Sequence, residues 1–181
     1  MIPPVEECLQ LLKKSHVPEH VIEHSRKVCE IAACLGRLLN RQGAGLDEGM
    51  IAAASWLHDI AKMDGLSRGE NHSTAGADLL KNLGYPEIAE IVRQHVKLDT
   101  ETYQGEIGET VLVHYADKRV KHTALVSLED SFRDLKERYG KHPAAREWLE
   151  DLEKQTKELE SRIFRRLAIS PDRLRSLVEG G

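Results

Sequence analysis

The sequence predicts an all-α fold, a compact bundle of helices with an additional long C-terminal helix. Three observations carry this reading. The strong helix formers Ala, Glu, Leu, Lys and Arg make up nearly half of the 181 residues. Apolar residues recur at steps of three and four through most of the chain, which is the period of one helix face. Pro, Gly and short polar residues fall between these stripes, where helices start and stop.

Pro3-Pro4 precede a stripe of Val5, Cys8, Leu11 and Leu12, a helix start followed by one apolar face. A second helix begins near Pro18-Glu19 and runs to about Asn40, with Val21, Val28, Ile31, Ala32, Leu35, Leu38 and Leu39 along one side. Gly43 and Gly45 break the pattern, and Asp47 caps a third helix from Glu48 to about Ile60. That helix is apolar nearly all round, so it should be buried. Residues 61–71 read as a loop. His72 to Leu83 is helical and ends at Gly84, and Pro86 starts a helix reaching about His95. Residues 96–108 are polar and irregular. A long helical region follows from about Glu109 to Tyr139, with Ser127 and Asp130 placed to cap a local break. Glu147 to Leu167 carries Leu149, Leu152, Thr156, Leu159 and Ile163, a heptad-like seam. The preferred reading lays this helix across the domain, and dimerisation through it is the sharper alternative. Ser170-Pro171 begins a last short helix. The expected division is residues 1–142 as the bundle, with its core at about 19–139, and 143–181 as a C-terminal extension.

Composition excludes several classes. Aromatics are 4% of the chain, too few for a nucleic-acid stacking platform. The net charge of −4 argues against a general polyanion binder. No apolar run approaches the ~20 residues of a membrane span, and the N-terminus lacks the basic and apolar regions of a signal peptide. Cys8, Cys29 and Cys34 are an odd number in helical segments and read as reduced core thiols of a cytoplasmic protein.

Nine histidines are the unusual feature. His58-Asp59 stands at the end of the apolar third helix, in Trp56-Leu57-His58-Asp59-Ile60-Ala61-Lys62. An imidazole and a carboxylate in an apolar setting need a partner, and a divalent metal supplies one. A structural ion pair is the ordinary alternative for such a pair alone. His24, His72, His95 and Asp117 each fall on a different predicted helix, mostly near its end, and a bundle can converge such side chains into one pocket. Four imidazoles and two carboxylates suit iron or manganese first, with cobalt, nickel or zinc also compatible.

The order His24, His58-Asp59, Asp117 resembles the HD-domain superfamily of metal-dependent phosphohydrolases over residues 19 to 139. His72 and His95 match the extra histidine pair of its dinuclear members. Ala61 stands where Gly is frequent in the family. The resemblance implies one metal on His24, His58, Asp59 and Asp117, and a second on His72 and His95, with Asp59 bridging. It implies a catalytic role for Asp59 and for Lys62, hydrolysis of a phosphate ester or anhydride by a metal-activated hydroxide, and a small, nucleotide-like substrate. Lys62 is the first candidate phosphate contact because the family carries a lysine there. Arg26 and Arg119, each two residues past an expected ligand, are further candidates, with solvated surface charge as the equal alternative. Lys118 is read as structural or exposed.

Among dinuclear relatives the chain is similar to bacterial hydrolases of diadenosine tetraphosphate. It shares their His-Asp-Ile-Ala-Lys form and the segment Ala116-Asp117-Lys118, but carries Val96-Lys97-Leu98 where they have Thr-Thr-Gly. Three alternatives stand beside this reading: a mononuclear deoxynucleoside monophosphatase, a diiron oxygenase, and a non-catalytic nucleotide-binding module of the same fold. His16, His20, His122 and His142 are read as ordinary histidines, and His114 as core or surface. Asp64 and Glu70 are loop carboxylates after the His-Asp pair. No nucleic-acid polymer or membrane partner is expected.

Overall fold

A computed structural model describes residues 2–63 and 71–180 of the chain. The described residues form helices α1 (Val5–Lys14), α2 (Glu19–Asn40), α3 (Glu48–Leu57), α4 (His72–Asn82), α5 (Pro86–Gln94), α6 (Thr100–Gln104) and α7 (Glu109–Lys118). A two-stranded ribbon, β1 (Val120–Lys121) and β2 (Ala124–Leu125), then leads into α8 (Leu128–Tyr139), α9 (Pro143–Leu167), a 3₁₀ turn at Pro171–Arg173, and α10 (Leu174–Glu179). The protein is all-α, as its composition and periodicity predict. Among the described residues no helix is long and apolar enough to cross a membrane.

α2 is the axis of the bundle. Its Val28, Ile31, Leu35 and Leu39 pack with Val111, Leu112 and Tyr115 of α7 and with Leu152, Leu159 and Ile163 of α9. Its first turn, through Val21 and Ile22, joins a second cluster built from α1, α3, α4 and α5. α3 lies close against α2: a Cβ on Gly36 would come 2.7 Å from Ile51 Cδ1. The Asp47 carboxylate accepts from the Met50 N–H at 2.9 Å, the expected cap.

Two boundaries differ from expectation. The long helix between Glu109 and Tyr139 stops at Lys118, and β1 and β2 pair antiparallel with Val120 opposite Leu125 before α8 begins. His122 takes a left-handed φ of 55° in the tight turn between them. The anticipated break is real but earlier and wider than Ser127 alone suggests. Ser127 does cap α8, its hydroxyl accepting from the Asp130 N–H at 3.0 Å. α9 starts at Pro143 rather than Glu147, because proline fits the first helical position. A short helix, α6, also interrupts the segment read as irregular. α3 closes at Leu57, three residues sooner than the apolar run implies.

The α9 seam faces inward. Leu149, Leu152, Thr156, Leu159 and Ile163 are all buried within the single chain, and the Thr156 hydroxyl donates to the Leu152 carbonyl at 2.7 Å. The heptad-like spacing is spent on the fold. The three cysteines are free thiols. Burial, helped by Glu7, pushes Cys8 up to about 12, and burial pushes Cys29 up to about 11.

Candidate metal centre

The end of α3 sets the site. Past Leu57 the backbone tightens, with Ile60 N–H bonded to the Leu57 carbonyl at 3.1 Å and Lys62 N–H to the Asp59 carbonyl at 3.0 Å. His58 and Asp59 occupy this turn, and both are buried. α2 brings His24, the first turn of α4 brings His72, the end of α5 brings His95, and the last turn of α7 brings Asp117. The four imidazoles form a chain in the order 24, 58, 95, 72, with ring centroids 5.4, 5.1 and 5.1 Å apart.

The carboxylates lie between the rings. Asp117 Oδ1 is 3.1 Å from His24 Nε2 and 3.5 Å from His58 Nε2. Asp59 Oδ1 is 3.4 Å from His72 Nε2 and 3.7 Å from His95 Nε2, and Asp59 Oδ2 is 3.5 Å from His58 Nε2. Two sets of ligand atoms converge within 4.8 Å: one from His24, His58 and Asp59, the other from Asp59, His72 and His95. Asp59 belongs to both.

Each carboxylate also has a lysine on its Oδ2. Lys62 Nζ stands 2.5 Å from Asp59 Oδ2, and Lys118 Nζ stands 2.6 Å from Asp117 Oδ2. Burial alone would raise both carboxyl pKa values. For Asp59 the His58, His95 and Lys62 charges and hydrogen bonds outweigh it, and for Asp117 Lys118, His24 and His58 do, so both are held well below the usual range. Burial opposes charge on His58, but Asp59 and Asp117 raise its pKa. Burial and the neighbouring His95 lower His72 to about 4. Asp59 and Asp117 are thus carboxylates, and His72 is a neutral ring, the states a metal needs.

The donor set fits a metal on one direct observation. His58 Nε2 is buried without a hydrogen-bond partner while its Nδ1–H donates to the Ser55 carbonyl at 2.8 Å. A buried nitrogen lone pair aimed at two carboxylates is costly without a cation between them. His24, His58 and His95 all donate Nδ1–H to backbone carbonyls, of His122, Ser55 and Val92 at 3.0, 2.8 and 2.7 Å, which fixes Nε2 as the ligand atom.

The expected basic contacts divide. Lys62 lines the pocket. Arg26 does not reach it: it is exposed and paired with Glu23 and Glu30 at 2.8 and 2.6 Å. Arg119 turns away as well, donating to the Val126 carbonyl at 2.7 Å, to the Tyr115 hydroxyl, and to Glu160 at 2.9 Å. Residues two apart on a helix lie on opposite faces, so following a ligand by two is the wrong spacing. Lys118, read as structural or exposed, is buried and lines the pocket, donating also to the His95 carbonyl at 3.0 Å. His114 is buried and donates Nδ1–H to that same carbonyl at 2.9 Å, so it supports His95 from behind. Asp64 and Glu70 lie outside the described residues.

Five of the six donors, His24, Asp59, His72, His95 and Asp117, line a cavity of about 300 Å³, with His58 buried behind them. Its remaining walls include Val96, Lys121, Asp134, Arg138, Tyr139 and Trp148. Val96 stands in the segment that the sequence marks as a departure from the diadenosine tetraphosphate hydrolases; Asp134, Arg138, Tyr139 and Trp148 were not singled out as site residues, because their place depends on how α8 and α9 fold over the site.

Comparison with known proteins bears on this geometry. The family model of the HD domain matches residues 21–167. The chain is 29% identical over 153 residues to an uncharacterised protein of Methanocaldococcus jannaschii, covering 77% of this chain and 89% of that protein. It is 27% identical over 149 residues to a tRNA (cytidine(56)-2'-O)-methyltransferase of Thermoplasma volcanium, and 26% identical over 157 residues to the enzyme of that name from Picrophilus torridus. These alignments cover 74% and 80% of this chain, but only 42% and 44% of the two methyltransferases. No solved structure shows a significant match.

Proposed function

Because the chain belongs to the HD-domain family, we propose that it is a metal-dependent phosphohydrolase acting on a small, nucleotide-like phosphate ester or anhydride. The observation that supports this most is the pair of donor groups that share Asp59, a residue lining the pocket. His24, His58, Asp59 and Asp117 would hold one divalent ion, and His72 and His95 with Asp59 a second. Iron or manganese suits these donors best. Such ions, when bound, supply Lewis-acid charge to the phosphoryl group and lower the pKa of water towards neutrality.

The chain's own residues do the rest. Lys62 and Lys118 each hold Oδ2 of their carboxylate, while Oδ1 of Asp59 faces His72 and His95, Oδ1 of Asp117 faces His24 and His58, and Asp59 Oδ2 also faces His58. Lys62 is partly exposed and has three donors, of which one meets the Asp59 carboxylate among the described residues, so it can also reach a phosphate oxygen. Asp59 and Lys62 are the residues closest to the proposed chemistry. Val96, Leu135, Leu149 and Leu152 line the same cavity and limit water on the far side of the substrate. The two relatives named as tRNA methyltransferases carry more than half their length outside the shared segment, so methylation is not carried over.

The test is elemental analysis of protein purified without chelator and without oxygen, followed by phosphate release from a panel of nucleotides and simple esters. About two transition-metal ions per chain and phosphate release with that metal are expected. Failure of every ester and anhydride with manganese, iron and cobalt would overturn the reading. One ion per chain would favour the mononuclear nucleotidase.

A further inference from the structure

Trp148 and Tyr139 are large apolar residues left exposed, and both line the cavity that contains the donor cluster. Trp148 is 39% accessible although it sits at the start of a helix whose other apolar residues are mostly buried. Trp56, the second tryptophan of the chain, is buried in the core. An indole face left open beside a catalytic floor has an apolar surface to share, and packing within the chain does not consume it. Next to these rings, Lys121 and Arg138 both pair with Asp134, Lys121 at 3.0 Å. Two cations share one carboxylate, so this wall carries a net positive charge. The Arg138 guanidinium lies 5.3 Å from the Tyr139 ring centroid, so the cavity that holds the polar donors also carries an aromatic and cationic part of its lining.

Resting on the phosphohydrolase reading above, we propose that Trp148, with Tyr139 beside it, forms the specificity subsite for a planar heteroaromatic ring carried by the substrate away from its scissile phosphate, with Lys121 and Arg138 adding positive charge to the mouth through which an anionic substrate enters. Stacking of a base on an aromatic side chain is sequence-tolerant and strong enough to decide which esters bind. A substrate with only a sugar or glycerol beyond the phosphate would leave the indole uncovered. Selection thus resides in α8 and α9, while the proposed metal chemistry resides on α2, α3, α4, α5 and α7.

The experiment uses the full manganese-loaded chain, excited at the red edge of tryptophan absorption. AMP and ribose 5-phosphate are titrated by calorimetry, which gives both Kd values in the parent and the variants, while emission and phosphate release are followed in parallel. AMP is expected to quench the Trp148 emission and ribose 5-phosphate to leave it. The ratio of the ribose 5-phosphate Kd to the AMP Kd should fall roughly tenfold in Trp148→Ala, the change expected when one base–aromatic stack is lost. Trp148→Phe should keep most of that ratio. If Trp148→Ala fails to fold, Tyr139→Ala at the exposed end of α8 carries the same comparison. Equal affinity for the two probes in the parent, or an unchanged ratio in the variants, overturns the subsite. If AMP quenches and the ratio falls while neither probe is hydrolysed, the subsite stands and the hydrolase reading fails. If both are hydrolysed with equal kcat/KM and no quenching, the reverse holds.

Discussion

Arg119→Ala separates a phosphate contact from a structural strut. The guanidinium joins α7 to α9 through Glu160 at 2.9 Å and to β2's flank through the Val126 carbonyl at 2.7 Å. The Tyr115 hydroxyl donates to the same Glu160 oxygen at 2.6 Å. The Arg119 side chain is 9% exposed and that of Glu160 is 21%. Hydrogen bonds to a charged group contribute about 1.5–3 kcal/mol each, and breaking a fully buried pair costs about 3–5 kcal/mol. Glu160 keeps Tyr115 and some solvent, so the expected loss lies at the low end, about 3 kcal/mol. At about 2–4 °C per kcal/mol for a domain of this size, Tm should fall by roughly 6–12 °C. Thermal unfolding followed by circular dichroism reads the loss, and phosphate release at a temperature where the variant is folded reads the site. KM should stay within about twofold of the parent. A Tm shift under about 2 °C together with a KM raised tenfold would refute the strut and restore Arg119 to the substrate.

Asp59→Ala should abolish binding at both proposed metal positions, and retention of two ions by elemental analysis would remove Asp59 as the shared ligand. His72→Ala should lose mainly one ion per chain and most of the turnover, and unchanged stoichiometry and rate would instead favour a single-metal centre. Ile163→Ala removes a fully buried side chain of the α9 seam and should cost about 2–5 kcal/mol in denaturant unfolding, with the sedimentation coefficient of the folded variant unaltered; dissociation of a larger species on mutation would instead place the seam between chains. Cys8 is fully buried with its thiol pushed up to about 12, so iodoacetamide at pH 8 should label it only after unfolding. Rapid labelling of the native protein would contradict the packing of α1.

Period and punctuation made the helices legible. Asp47, Ser127 and Pro86 stand where the chain reverses or starts, and each does in the structure what its chemistry predicts. Two-residue strands have no period to read, so the ribbon after Asp117 stayed hidden inside an apparent long helix. The donor cluster was legible as residue types because imidazole and carboxylate are uncommon beside apolar stripes. The supporting side chains were not. Lys62 follows Asp59 by three and shares its face, whereas Arg26 and Arg119 follow their neighbours by two and point away. Trp148 on α9 and Arg138 on α8 reach the cavity through the packing of those two helices over the bundle, a tertiary fact with no local signal.

The positions of the histidines have a backbone cause. A helix leaves its last carbonyls without intrahelical partners. α3 ends at Leu57, and His58 Nδ1–H donates to the Ser55 carbonyl; α5 ends at Gln94, and His95 Nδ1–H donates to the Val92 carbonyl. A histidine placed just past a helix end therefore bonds a carbonyl of the last turn and fixes its own tautomer, leaving Nε2 directed at the carboxylates; the Val92 carbonyl accepts the His95 backbone N–H at 3.3 Å as well. His24 lies early in α2, where no such carbonyl is open. Its Nδ1–H finds the His122 carbonyl instead, in the tight turn between β1 and β2 where φ is 55°. The ribbon that interrupts the long helix thus holds the fourth imidazole in place. Lengthening that turn by one residue should loosen His24 while leaving His58 and His95 held by the carbonyls of Ser55 and Val92.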